Sequence, residues 1–347
     1  MPATPYVTTA AAIAWLVVAG IPGHGTQALS PDLERLLSES LGFTGSQIRA
    51  LGRGEPVTAV LPGSIDREIA IAGAVRVEAP AERTVEIVRD IERFESGARF
   101  LQRKRLSDPP RLDDFASFRL MPDDLAALRR CRPGRCDVKI DQGAFPAFAG
   151  LGWALPDVEA RANTLFAERA LGYVEAYRAR GNRALATYAD REHPVVVAEE
   201  FEDMVTRATS LGDLAPGLVD VLLKFPNARP PDTEELYYRS VSDLGLKPVF
   251  RLNHVITYPA RGSGALRYLM ATRLLHANHY FNTGLEVRAL IDDPARSGRA
   301  HFLVTLNVAR LDGITGLLGR VAKARVRAVS RDALATALRA TKQRAEL

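Results

Sequence analysis

Five successive runs between residues 235 and 311 alternate apolar and polar side chains, and turn residues separate most of them. Glu235 to Ser240, Lys247 to Tyr258, Ala265 to Leu275, Asn278 to Ile291 and His301 to Leu311 each read as a strand. Strands joined by short turns predict an antiparallel meander. An amphipathic stretch from about Leu317 to Ala345 follows, with Leu318, Val321, Val326, Val329, Leu334 and Leu338 at its apolar positions. A helix of that length can lie across a sheet. The last third is thereby committed to a sheet with a helix on it, and the chain to the α+β class.

The rest of the chain supplies fewer strands. Glu68 to Val77 reads as a strand, followed by Ala79-Pro80 and a helix from Ala81 to about Phe94 with Val85, Val88 and Ile91 on one side. Phe100 to Leu106 is a further strand, broken by Asp108-Pro109-Pro110; Pro122 to Arg130 is a short helix and Val138-Lys139-Ile140 a short strand. Residues 156 to 228 read as a helical insertion or lid. Its long helix runs from Pro156 to Arg180, with Ala162, Phe166, Tyr173 and Tyr177 near one face, and a second helical stretch lies around Leu214 to Phe225. Residues 29 to 66 form an N-terminal extension that opens with a helix capped by Ser30 and started by Pro31.

The first charged residue is Asp32, and Ala10 to Gly20 before it is an apolar run of the length of a signal-peptide core, shorter than the roughly 20 residues a membrane span requires. Residues 1 to 28 therefore read as a leader, with Thr26 and Ala28 as small residues before the cut, although no Lys or Arg precedes the run. A buried N-terminal helix is the alternative. The cysteines, Cys131 and Cys136, flank Pro133-Gly134, whose turn chemistry brings two sulfurs together. Their reading is a disulfide, with free thiols as the alternative, and export to the periplasm or outside the cell agrees with it. Neither a zinc site nor haem attachment has the ligands it needs nearby.

Charged residues make up 25% of the 347 and the formal net charge is +5, with bases and acids intermixed. The longest basic run is Arg103-Lys104-Arg105, which excludes a nucleic-acid partner as the natural reading.

Ala74-Val75-Arg76-Val77-Glu78-Ala79-Pro80-Ala81-Glu82 resembles the first strand and turn of START-like lipid-transfer domains and their polyketide-cyclase relatives. Asn307-Val308-Ala309-Arg310-Leu311-Asp312-Gly313-Ile314-Thr315-Gly316-Leu317-Leu318-Gly319 resembles their last strand and the loop into the closing helix. With Asp124 to Lys139, the chain is also similar to a group of exported bacterial proteins. The resemblance covers roughly residues 67 to 140 and 234 to 345 and rests on element order. It implies a helix-grip fold over residues 67 to 347, with the insertion as a departure from the compact pattern.

The alternation places Leu252, His254, Ile256, Met270, Leu274, His276, His279, Phe281, Leu285, Phe302, Val304, Leu306 and Val308 on one inward phase. Three of the six histidines, His254, His276 and His279, share it. The stronger reading makes them core histidines hydrogen-bonded to neighbours; contact with a polar ligand group comes next, and metal binding last, for want of a carboxylate on that phase. The candidate ligand contacts are His254, His276, His279, Tyr280, Phe281, Met270, Phe302 and Arg310. Arg251, Arg310 and Asp312 are candidates for an ion pair at the sheet end, more readily structural than ligand-gripping. No Gly-x-Ser-x-Gly, phosphate-binding loop or His-Glu-x-x-His occurs. The expected function is an exported carrier of a hydrophobic small molecule, such as a lipid, sterol-like compound or quinone. The partner is that molecule, contact with a membrane surface is compatible with it, and no cofactor or metal is expected. A cyclase or hydrolase with a pocket histidine as general base is the alternative, and an envelope interaction protein with a vestigial pocket is a third reading.

Overall fold

A computed structural model describes residues 29–95, 99–243, 245, 247–262, 264–312 and 316–347, with only the backbone for 316–322. The expected leader and the glycine-containing loop at 313–315 lie outside the described residues.

The strands of the main sheet are Val57–Leu61 (β1), Glu68–Val77 (β2), Phe100–Arg105 (β3), Glu234–Ser242 (β4), Val249–Pro259 (β5), Leu266–Ala277 (β6), Phe281–Asp292 (β7) and His301–Leu311 (β8), and Thr187–Tyr188 pairs separately with Val195–Val196. The main sheet has the order β1-β2-β8-β7-β6-β5-β4-β3, with every neighbouring pair antiparallel. The meander of β4 to β8 is the one the alternation predicts. β1 arises inside the segment read as a helical extension, where Val57–Leu61 sits between Pro56 and Pro62 and pairs with β2. No strand forms at 138–140, where the Lys139 N–H donates to the Asn278 carbonyl at 2.8 Å.

Helices pack on both sheet faces. One face presents Ala70, Ala72, Ala74, Phe302, Val304, Leu306, Val308, Leu285, Val287, Leu252 and Ile256 to the segment between β3 and β4. That segment contains the helices Pro122–Arg130, Val158–Arg180 and Val197–Arg207. Phe118, Phe166 and Phe250 form an aromatic cluster there, with ring centroids 4.6–5.1 Å apart. The expected helix 214–225 is instead Thr209–Leu214 and Leu218–Leu223, separated where Gly217 adopts φ +77° next to Pro216.

The opposite face presents Ile69, Ile71, Val75, Val77, Met270, Leu290 and Leu303 to Ala81–Arg89 and to the C-terminal helix Gly316–Ala345. That helix lies along β2. A Cβ at Gly73 would stand 2.7 Å from Leu334 Cδ2 and 2.8 Å from Leu338 Cδ1, so the missing side chain lets the helix sit on the strand. The helix from Ala81 breaks at Asp90 and resumes as Ile91–Phe94, carrying the chain over β4 and β5, where Ile91 meets Leu236, Tyr238 and Val255.

Two irregularities correct the inward phase expected above. Leu252 pairs with His276 but Asn253 pairs with Leu274, so Leu275 is an extra residue and the side-chain phase of β6 reverses there. Met270 and Leu274 therefore face the C-terminal helix side, and His276 the insertion. Asn278–Tyr280 forms the β6–β7 turn, with Tyr280 at φ +60°, which takes His279 out of the strand altogether.

Candidate functional site

The eight candidate ligand contacts do not converge. His254 is fully buried on the insertion face, stacked 4.4 Å from the Tyr237 ring. Its Nε2 lies 3.2 Å from Glu235 Oε2 and its Nδ1 3.2 Å from Tyr177 Oη. Burial lowers its pKa, against the pull of Glu235. Burial would raise the Glu235 carboxyl in turn, but hydrogen bonds from His254 and Arg229 outweigh it and hold the group below its ordinary range. With both ring nitrogens engaged, His254 behaves as a core histidine.

His279 is also buried, its Nε2 2.9 Å from Asp124 Oδ1, while Asn278 Nδ2 donates to Asp124 Oδ2 at 3.0 Å. Tyr280 caps the same turn by accepting the Lys247 N–H at 2.9 Å. Arg310 is buried among carboxylates, 3.2 Å from Glu68, 3.3 Å from Glu200 and 2.7 Å from Asp203. It joins neither Arg251, which pairs with Glu95, nor Asp312, which lies 2.9 Å from Lys139. Phe302 packs in the insertion-side core, whereas Met270 and Phe281 belong to the other face.

His276 differs from the other two histidines. It lies at the sheet end of a cleft of about 590 Å3 between β5, β6 and the helices Phe145–Ala149 and Val158–Arg180. Its Nδ1 is 3.0 Å from Tyr188 Oη, and burial, with Lys139 nearby, pushes its pKa down to about 3.

The alternation did not single out a second location, on the face that carries the C-terminal helix. Where β4 to β8 leave the cover of that helix, inward positions become polar: Tyr238, Ser240, Arg251, Asn253, Thr272, Glu286, Arg288 and Asn307. Their shared face follows from the pairings Tyr238↔Asn253, Ser240↔Arg251, Thr272↔Glu286 and Asn307↔Glu286. Glu95, just after Ile91–Phe94, folds over this patch and accepts the Tyr238 hydroxyl at 2.6 Å. Arg251 Nη2 stands 3.8 Å from Glu95 Oε2 and donates to Ser242 Oγ at 2.8 Å. Arg288 bonds Glu286 at 2.7 Å and Thr272 at 3.3 Å, with the Phe94 ring 4.8 Å away.

Burial raises the Glu95 pKa, while Arg251 and the Tyr238 hydrogen bond oppose the rise. Five atoms of the patch, Glu95 Oε2, Ser240 Oγ, Arg251 Nε, Asn253 Nδ2 and Asn307 Oδ1, are buried with no hydrogen-bond partner among the described residues. An unpaired buried polar group costs about 1–3 kcal/mol, so a cluster of them is a costly surface unless something pairs with it. The sequence signal was present as polar residues on the opposite phase of each strand. Alternation alone cannot distinguish a polar interior from a solvent-facing side.

Cys131 and Cys136 form a disulfide, with Cα atoms 4.6 Å apart. Among the described residues no three His, Cys, Asp or Glu side chains form a metal-binding set, and no helix is long and apolar enough to cross a membrane.

No protein-family model matches this chain, and no curated protein matches it. Among solved structures, the di-domain aromatase/cyclase BexL from the BE-7585A biosynthetic pathway aligns at 13% identity with a TM-score of 0.23, over 80% of this chain and 97% of that one.

Proposed function

We propose that this protein binds an amphipathic small molecule on the sheet face that carries the C-terminal helix, with the Glu95–Tyr238–Arg251–Asn253 patch pairing the ligand's polar groups. The observation that carries the reading is the cluster of five buried polar atoms with no hydrogen-bond partner among the described residues, bordered by Phe94 and Phe281. Donors and acceptors of this kind fix the orientation of a ligand whose body is held by apolar contact. The strand order, the two short helices between β2 and β3 and the long helix after β8 support a helix-grip fold, which sets such a ligand between sheet and helix. A plain hydrocarbon would leave the patch unpaired, so the expected hydrophobic cargo is narrowed to one with several oxygen or nitrogen atoms. The disulfide supports the exported setting.

Native mass spectrometry of the purified chain tests the reading. The expected result is an added mass that Arg251→Leu combined with Asn253→Leu removes. In ligand-free protein, Asn253→Leu alone raises the stability by about 1 kcal/mol, because it deletes a buried amide nitrogen with no hydrogen-bond partner among the described residues. A wild-type chain that carries no added mass and gives no thermal shift with oxygenated aromatic or lipid probes would overturn the proposal.

A second reading is supported by Glu95 itself, a carboxyl with a raised pKa bonded to a tyrosine. In a cyclase-type enzyme it would take the general-base role that His254, His276 and His279, placed elsewhere, do not fill. Once a turnover is found, Glu95→Gln separates the readings: it abolishes catalysis in an enzyme and changes only affinity in a carrier.

A further inference from the structure

The opposite sheet face carries its own opening, independent of the patch around Glu95. The long helix Val158–Arg180 turns a stripe toward it at Arg169, Gly172, Tyr173, Ala176 and Arg180, spaced three, four, seven and eleven residues from the first. Gly172 and Ala176 are the small residues of that stripe, and their short side chains leave the space between helix and sheet unfilled. A Cβ at Gly172 would meet nothing within 4 Å. The resulting cleft of about 590 Å3 falls within the size range of small-molecule sites, and Phe148, Phe166 and Leu252 supply its apolar lining.

Two kinds of polar group face this cleft. At the sheet end, Tyr188 Oη accepts the Ala277 N–H at 3.3 Å, and the acceptor that the described hydrogen bonds offer its own proton is His276 Nδ1 at 3.0 Å. The neutral ring then carries its proton on Nε2, which donates to no described residue. At the two ends of the helical stripe, about 16 Å apart along the axis, the exposed Arg169 and Arg180 form no ion pair among the described residues. Of the acids on the rim, Glu168 is exposed, while Asp141 is already occupied in accepting the Thr187 and Gly143 N–H groups at 3.0 and 2.8 Å.

We infer that this cleft is a second small-molecule site, one that takes an anionic amphiphile. Its apolar body would lie along Phe148, Phe166 and Leu252, its carboxylate at Arg169 or Arg180, and a hydrogen-bond acceptor within reach of His276 Nε2.

Titration of the full chain with 11-(dansylamino)undecanoic acid, followed by dansyl fluorescence, tests the inference, with the corresponding primary amide as the neutral control. Wild type is expected to bind the acid more tightly than the amide. Gly172→Trp, which fills the cleft, should weaken both by about tenfold or more. Arg169→Gln with Arg180→Gln should weaken the acid alone. Ala176→Phe serves as a second plug should Gly172→Trp fail to fold. With Arg251→Leu and Asn253→Leu in place, which removes the patch on the other face as a second place for the probe, the acid should still bind more tightly than the amide. No binding by wild type, unchanged binding by a folded plug variant in the Arg251→Leu/Asn253→Leu background, equal binding of acid and amide, or loss of the acid preference in that background would each overturn the inference.

Discussion

His254, His276 and His301 are set by one cause: burial makes the charged imidazole costly, so each pKa lies below its ordinary value. In the unfolded chain the same side chains take up a proton near pH 6.5, whereas folded His276 does so only near 3. Between those values the unfolded state holds more protons, so stability is complete above about pH 6.5 and falls as pH is lowered toward 3. The slope contributed by one histidine reaches about 1.4 kcal/mol per pH unit. Urea denaturation of wild type and His276→Gln at pH 7, 6 and 5 should therefore give curves that diverge in slope, wild type losing stability faster. Parallel pH dependences would show that His276 titrates alike in the two states.

Among the elements, the strands were legible because each runs for nine residues or more in β4 to β8, long enough for a two-residue period to stand out. Which face each side chain takes was less legible. The extra residue at Leu275 and the left-handed Tyr280 reverse or end the period without any Gly or Pro to announce them. β1 was hidden for a different reason: five residues with a single paired neighbour carry little alternation.

Two element-scale predictions follow from contacts. Gly73→Val would push branched carbons into Leu334 and Leu338 and lift the C-terminal helix from β2, costing about 1–3 kcal/mol, with the lost protection of helix amides read by hydrogen exchange. The Cys131–Cys136 bond closes a short loop that also donates from Gly134 N–H to the Ala189 carbonyl and from Cys136 N–H to the Asp190 carbonyl. Cys131→Ser with Cys136→Ser should lower stability by about 2 kcal/mol, and a reducing agent should lower the wild-type melting temperature to match. A melting temperature unmoved by reduction would show that the neighbouring hydrogen bonds suffice.

At the scale of the whole molecule, the insertion and the sheet share one continuous core, running from Phe115 and Phe201 to Val304 and Leu306. Buried charges pin it at two places. Lys139, which precedes the insertion, and Asp190 within it meet at the end of β8, where Lys139 pairs with Asp312, and Arg310 of β8 meets Glu200 and Asp203 of the helix Val197–Arg207. Removing one partner of such a buried set leaves the others uncompensated, at a cost of about 3–5 kcal/mol, and that cost falls on both halves together. The expected outcome is that the insertion unfolds together with the sheet as one cooperative unit rather than swinging on it as a lid. Trp153, whose Nε1 donates to the Phe148 carbonyl at 2.9 Å, reports on the insertion, and in a Trp15→Phe background its fluorescence can be followed alone. Far-UV circular dichroism reports on the chain as a whole. The two probes should give coincident denaturation midpoints in that background, and Arg310→Met should shift both by the same amount. An earlier fluorescence midpoint would instead make the insertion an autonomous layer, able to open the cleft at His276 while the sheet stays folded.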